Sequence, residues 1–354
     1  MALVLEWKTQ FTLLIVIIGM YTSQITCRNL QESSSMLEKH ESWMARHGRT
    51  YKNDTEKAKR AKIFEENVKF IESFNNNGSK SYKLGINKFS DLTSEEFLRY
   101  YTTNHGLNNY NKYFSTKSKQ LSPTTISSFM YENMSDVPSN MDWRKSGVVT
   151  SVKDQGRCGC CWAFSAVAAL EGANKLSSGN LISLSEQQLL DCTTENNGCY
   201  GGLITTAYDF IVNNGGIAKE SDYPYEENQD SCKSQGASAV DSTVKINRYE
   251  NVPASSEPAL LTAVARQPVS VGIAINEDFK SYQSGVYDGN CGDQLNHAVT
   301  IIGYGTNEDG TKYWLVKNSW GTSWGENGYM KIARDIGIKD GICQIATLAS
   351  YPIV

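Results

Sequence analysis

From residue 137 onward the chain contains a single histidine, His297, and it lies downstream of the run Gln155-Gly-Arg-Cys158-Gly-Cys160-Cys161-Trp162. A thiol with a pKa of about 8.5 is mostly protonated at neutral or acid pH, so a nucleophilic cysteine needs an imidazole to take its proton. If this part of the chain is a cysteine hydrolase, its base can only be His297. Such a pair must be brought together by elements 136 residues apart in sequence, and the rest of the chain can be read for them.

At 354 residues, 40% hydrophobic and 20% charged, the chain is long enough for two or three compact units, and its composition is neither disordered nor fibrous. Residues 11–20 form an apolar run preceded by Lys8. It has the length of a signal-peptide core and is short for a membrane span, so residues 1–27 are expected to be a removed signal, with an uncleaved anchor as the alternative. Secretory entry permits disulfides, and eight of the nine cysteines lie after Cys27. Asn53, Asn77 and Asn133 head N-x-S/T glycosylation acceptors. Residues 137–354 hold 16 Lys and Arg against 24 Asp and Glu, while residues 1–136 hold 18 against 14. A basic front and an acidic body suggest that one docks on the other and that acid weakens the attraction.

Residues 37–75 read as helical, with an apolar stripe beginning at Trp43 and Met44 and with Asp54 or Thr55 able to cap a second helix. In that second stretch Glu56, Arg60, Phe64, Asn67, Ile71 and Asn75 share one face, where Glu56 and Arg60 can pair. Gly85-Ile-Asn87-Lys-Phe89-Ser-Asp91 alternates as a short strand, and Thr93-Ser-Glu-Glu96 is a capping box opening another helix. Residues 101–136, poor in aliphatics, read as an exposed, cleavable connector. Cys161–Ser178 reads as a helix with Phe164, Val167, Ala168 and Leu176 apolar and Gly179 as its stop, and Ser185-Glu-Gln-Gln188 as a second capping box. Beyond residue 240 the texture is strand-like at 269–275, 297–302, 313–317 and 329–333. Cys161 thus falls in a helix-rich half and His297 in a strand-rich half, which predicts a cleft where the halves meet.

Cys158-Gly-Cys160-Cys161-Trp162, followed by His297 and by Asn318 in Lys317-Asn-Ser-Trp320-Gly, resembles the signature of papain-like cysteine proteases. The six-residue helical stripe and the Gly85/Asn87/Phe89/Asp91 pattern resemble the inhibitory propeptide of the cathepsin L-like, plant-type branch. The resemblance spans about residues 37–350. It implies an α+β, two-lobed fold, with a helical left lobe and a β-barrel-like right lobe, preceded by a mainly helical propeptide. The implied divisions are signal 1–27, propeptide 28–136 with its helical part at about 37–100, and mature peptidase 137–354. Cys161 would be the nucleophile, its thiolate favoured by the helix N-terminus and by the His297 imidazolium. Asn318 would orient His297, Trp320 would cover that bond from water, and Gln155 would join the Cys161 N–H in an oxyanion hole. The implied disulfides are Cys158–Cys199, Cys192–Cys232 and Cys291–Cys343. Cys160 departs from the usual Ser or Ala and either fills a small-residue slot or forms an oxidative vicinal disulfide with Cys161.

The implied substrate-binding set is Gly201 and Gly202 as a backbone-pairing strip, Leu203, Ile204, Gly272, Leu295, Ala298 and Leu348 as an apolar pocket, and Asn296 and Trp320. An uncharged pocket predicts Leu, Val or Phe, and not Arg or Glu, as the second residue upstream of the cut. The expected activity is a thiol endopeptidase for general protein turnover, made as a zymogen matured in acid, without cofactor or metal. Expected partners are polypeptide substrates, the chain's own propeptide and cystatin-like inhibitors, with a monomeric enzyme, no nucleic acid, and no membrane once the signal is removed. The expected location is the vacuole or lysosome, or the extracellular space. Two other readings stay open: dithiol exchange by Cys158-x-x-Cys161, and a propeptide that inhibits foreign proteases. A zinc site is disfavoured by the lone histidine, and no basic aromatic patch points to nucleic acid.

Overall fold

The computed structural model describes residues 35–78, 80–103, 129–134, 136–233 and 244–354. The expected signal and most of the expected connector lie outside these residues, as do Ser79 and Ser135 of two glycosylation acceptors. The described chain separates into two compact units, one comprising the residues up to Phe70 with Ser90–Leu92, the other Ile71–Phe89 with Thr93–Val354.

In the first unit, helix α1 (35–47) packs on the start of α2 (Asp54–Asn76) through Trp43, Phe64 and Val68. The cap of α2 is neither Asp54 nor Thr55: Asn53 Oδ1 accepts from the Glu56 N–H at 2.9 Å. The face read from spacing holds this unit together. Arg60 donates to Glu56 at 2.7 Å and to the Asp91 carbonyl at 2.9 Å, and Asn67 Nδ2 donates to the carbonyls of Ser90 and Leu92 at 2.8 and 3.0 Å.

In the second unit the strand expected at 85–91 is displaced: β1 is Tyr82–Leu84, and 85–92 is extended chain and turns. Strand β1 forms because it pairs with β5 (Tyr282–Tyr287), which is a long-range partner that local alternation does not report. The approach is close enough that a side chain at Gly285, where φ is 93°, would meet the Ser81 carbonyl. Asn87 then turns the chain by accepting from the Phe89 N–H while donating to the Lys280 carbonyl at 2.7 Å. Helix α3 (Ser94–Tyr101) opens on a complete capping box between Thr93 and Glu96.

The body of this unit begins with β2 (Met141–Asp142), then α4 (Cys161–Ser178), α5 (Glu186–Cys192) and α6 (Ile204–Asn213). Helix α4 is buried over most of its length, although Leu176 is exposed, and Gly179 ends it in a left-handed cap. The second capping box is half formed: Ser185 accepts from Gln188 N, but the Gln188 side chain accepts from Ala218 N instead. Strands β3 (Arg248–Asn251), β4 (Val269–Ala274), β6 (Leu295–Thr306), β7 (Lys312–Lys317), β8 (Tyr329–Ala333) and β9 (Leu348–Ile353) join β1 and β5 in the order β1-β5-β8-β7-β6-β4-β9-β3. This mixed sheet after a helical stretch agrees with the helix-rich and strand-rich halves read from the residues and with the α+β fold that the resemblance implies. Helix α4 packs along β4, β6 and β9, which sets the first turn of the helix against the start of β6.

Candidate active site

Cys161 is the first residue of α4 and His297 the third of β6, and both are fully buried. The fold brings them into one place: the Ala298 N–H, one residue after His297, donates to Cys161 Sγ at 3.4 Å. His297 Nε2–H donates to Asn318 Oδ1 at 2.8 Å, and the same oxygen accepts from the Ser319 N–H at 2.8 Å. In neutral His297 this leaves Nδ1 as the basic nitrogen, and it is buried without a hydrogen-bond partner. Trp320 is stacked on the imidazole with centroids 4.6 Å apart and is itself fully buried, which keeps water from the His297–Asn318 bond.

In this covered site burial works against the ionised thiolate–imidazolium pair expected from the sequence. Burial pushes the Cys161 thiol up to about 12, against the opposing N–H groups of Ala298, Trp162 and Cys161 itself. Burial likewise brings His297 down to about 4, against the opposing bond to Asn318. Desolvation outweighs helix end and hydrogen bonds, so burial favours the neutral form of each group.

The cover is the chain's own front segment. The Thr103 N–H donates to the Asn296 carbonyl at 2.8 Å, and its hydroxyl donates to the same oxygen at 3.2 Å. A side chain at Gly159 would meet the Thr102 carbonyl, and one at Gly201 the Thr103 side chain. Phe89 and Phe97 meet Trp320 edge-on at 5.7 and 5.2 Å, so Trp320, expected at the substrate's side of the cleft, is enclosed here.

Gln155 is held at every polar group. Its N–H donates to Ser319 O at 2.8 Å, Nε2 donates to Cys158 O at 2.8 Å, Oε1 accepts from Ser319 Oγ at 2.7 Å, and its carbonyl accepts from Tyr225 Oη at 2.7 Å. Ser319 and Tyr225 thus join the site beyond the residues that the sequence identifies. Ser319 is signalled by adjacency to Asn318; Tyr225 by nothing local, being 70 residues away. Lys153 is a third omission: it ties the loop before Gln155 to Glu171 of α4 and Glu186 of α5, at 3.1 and 2.8 Å.

Among the expected subsite residues, Gly272 pairs with Ala298 on one side and Leu348 on the other, and Ala274 pairs with Leu295. Ile204 shares a buried apolar cluster with Cys161 and Ala298. Leu203 and Gly202 adjoin it, but Gly201 departs from the backbone-pairing reading: its N–H donates to Gly198 O, and its carbonyl accepts from Asn197 N. Gly201 therefore offers close approach and not free backbone groups.

The structure joins Cys158 to Cys199, Cys192 to Cys232 and Cys291 to Cys343. With Cys158 bridged to Cys199, the Cys158–Cys161 dithiol reading fails. Cys160 and Cys161 are both free thiols, so no vicinal bridge joins them in this state.

Residues 137–353 match the papain family cysteine protease domain, and residues 40–97 match the cathepsin propeptide inhibitor domain. The chain is 48% identical over 348 residues to the senescence-specific cysteine protease SAG39 of Oryza sativa subsp. japonica, covering 96% of this chain and 98% of that protein. It is 46% identical over 350 residues to the senescence-specific cysteine protease SAG12 of Arabidopsis thaliana, covering 98% of each. Among solved structures, a recombinant stem bromelain precursor superposes with a TM-score of 0.81 at 43% identity, covering 90% of this chain and 99% of that one. With a free thiol beside an Asn-held histidine, and its own front segment across both, the chain belongs to the papain family of cysteine proteases and is made as a zymogen carrying its propeptide inhibitor.

Proposed function

We propose that Cys161, His297, Asn318 and Gln155 carry out thiol-dependent hydrolysis of peptide bonds within polypeptide chains. The observation that carries this reading is the buried junction of α4 and β6, where the Cys161 sulfur meets the residue after an imidazole whose other nitrogen is held by Asn318. Withdrawal of the front segment readmits water and removes the desolvation cost that keeps both groups neutral. Transfer of the Cys161 proton to His297 Nδ1 then yields a thiolate at a helix N-terminus beside a cation, both of which stabilise it. The thiolate attacks the scissile carbonyl, and the developing oxyanion is held by the Cys161 N–H and by the Nε2 hydrogen of Gln155 not used on Cys158. His297 gives its proton to the leaving amine as the C–N bond breaks, leaving a Cys161 thioester. Water, deprotonated by His297, hydrolyses the thioester and regenerates the thiol.

Gly272 lies between Ala298 and Leu348 in the sheet, Ile204 shares a buried cluster with Ala298, and neither these residues nor Leu203 and Leu295 are charged, which supports a preference for Leu, Val or Phe as the second residue upstream of the cut. A peptide library in which Arg is the favoured residue there would overturn this. Maturation in acid, cutting near Val137, passage through the secretory route to a vacuole, lysosome or the exterior, glycosylation at Asn53, Asn77 and Asn133, and inhibition of a monomeric enzyme by cystatin-like proteins complete the reading. Labelling the acid-treated protein with a peptidyl epoxide is expected to place the adduct on Cys161, and Cys161→Ala to abolish turnover with the fold retained. Cleavage by purified Cys161→Ala at the parent rate would end the assignment.

A further inference from the structure

We infer that Cys160 is a positioning residue for Gln155, acting through Tyr225 by a hydrogen-bond relay that runs from the Cys160 thiol to the Tyr225 hydroxyl to the Gln155 carbonyl. The inference rests on the reading of Gln155 as an oxyanion donor. Cys160 is the residue before α4, yet its side chain makes no bond to the helix end. Its Sγ lies instead 3.0 Å from Tyr225 Oη. Tyr225 Oη donates to the Gln155 carbonyl at 2.7 Å. A phenol has one proton, and with that proton on the carbonyl its oxygen accepts, so the Cys160 S–H is the donor. Burial pushes the Cys160 thiol up, which keeps it protonated and able to donate.

The relay fixes the one polar group of Gln155 that Ser319 and Cys158 leave open. The next residue is Gly156 with φ of 57°, so the chain turns sharply there, and the carbonyl bond sets the peptide plane from which the Gln155 side chain departs. Tyr225 is held at its other end, with its ring edge-on to Phe164 at 4.9 Å and 88° and its N–H donating to Glu220 at 2.9 Å. An anchored phenol between two buried partners transmits position, because bonds in a dry chain polarise and stiffen one another. Serine in place of Cys160 keeps a donor; alanine removes it and leaves the Tyr225 oxygen short of a partner.

The test uses the full chain, matured with pepsin that is then blocked with pepstatin, carrying Cys160→Ala, Cys160→Ser, Tyr225→Phe, Cys160→Ala with Tyr225→Phe, or Gln155→Ala. Turnover of a fluorogenic peptide, affinity for a peptide aldehyde and the rate of Cys161 alkylation by iodoacetamide are measured for each. The aldehyde adduct places an oxyanion in the hole; alkylation forms none. Cys160→Ala and Tyr225→Phe are expected to lower kcat and aldehyde affinity about tenfold with KM little changed, below the 10²–10³-fold typical of outright donor loss expected for Gln155→Ala. Alkylation rates stay at the parent value, Cys160→Ser recovers most of the lost rate, and the double variant is no worse than Tyr225→Phe. The relay is overturned if Gln155→Ala loses activity while Cys160→Ala does not, if alkylation falls in step with kcat, or if the two losses multiply. Parent turnover in Gln155→Ala removes the oxyanion reading itself, and the relay with it.

Discussion

The reacting pair shows how one side chain can have opposite chemistry in two states. Burial holds the Cys161 thiol up at about 12 and His297 down at about 4, so the covered site stores neither charge. The sign follows for each. The raised thiol favours the covered state below its ordinary value of 9.0 and loses that advantage as pH rises through 12; the lowered imidazole favours it above 6.5 and loses it as pH falls through 4. Between about pH 5 and 8, the window in which an ordinary histidine titrates, the zymogen thiol stays protonated. Iodoacetamide is therefore expected to alkylate Cys161 in the intact zymogen at least about tenfold more slowly than in the matured enzyme, since each unit of thiol pKa changes the thiolate fraction tenfold. Peptide mass spectrometry over a time course reads the rate; equal rates in the two forms would refute the neutral, covered pair.

At the scale of elements, inhibition depends on how α3 is seated. Phe97 is fully buried and contacts Trp320, Phe89 and Tyr101, while Thr93 and Glu96 fix the first turn. Truncating a buried Phe to Ala costs about 3–5 kcal/mol, far more than a surface ion pair such as Lys88–Asp154 contributes. Phe97→Ala is expected to mature several-fold faster at neutral pH, read as loss of the zymogen band on a gel; an unchanged time course would show that α3 packing does not limit release. These contacts also mark what could be read in advance. Strands β4, β7 and β8 follow from apolar alternation, α4 from its apolar positions and its Gly179 stop, and the box at Thr93 from four adjacent residues, because each signal is local. Strand β1 was misplaced because its existence depends on β5 about 200 residues away. Tyr225 was missed for the same reason, and the aromatic cover on Trp320 was hidden behind a charge asymmetry that composition displays and contact chemistry outweighs. His297 is legible because no other histidine follows residue 137, whereas Cys161 and Asn318 are legible through the resemblance to the papain-like signature, since Asn and Cys are common in this chain.

For the molecule as a whole, the question is what acid would do to a zymogen whose front segment meets the body through aromatic packing and through carboxylate contacts such as Ser81–Asp288, Ser94–Glu277 and Lys88–Asp154. Lys88–Asp154 is partly exposed and worth at most about 1 kcal/mol, so charge asymmetry alone gives a weak trigger. If acid matures the zymogen, His40 is a stronger candidate. It is 1% exposed, ringed by Trp43, Tyr51 and Phe64, with its Nε2 3.4 Å from Tyr51 Oη, which donates to Asp91. Glu41 and Asp91 favour its charged form and Lys57 opposes it, yet burial dominates and lowers its pKa from the ordinary 6.5. A histidine buried neutral in the folded unit and free to charge when unfolded destabilises the fold as pH drops below 6.5, in the direction of release. His40→Phe keeps an aromatic ring in the cluster and removes the titration, so its maturation is expected to need a lower pH than that of the parent chain. The comparison is the pH of half-maximal maturation in a fixed time, measured beside the thermal stability of the zymogen at pH 7. A midpoint that stays in place while stability at pH 7 is retained would show that acid acts elsewhere, and a downward shift at retained stability would assign the trigger to this buried ring.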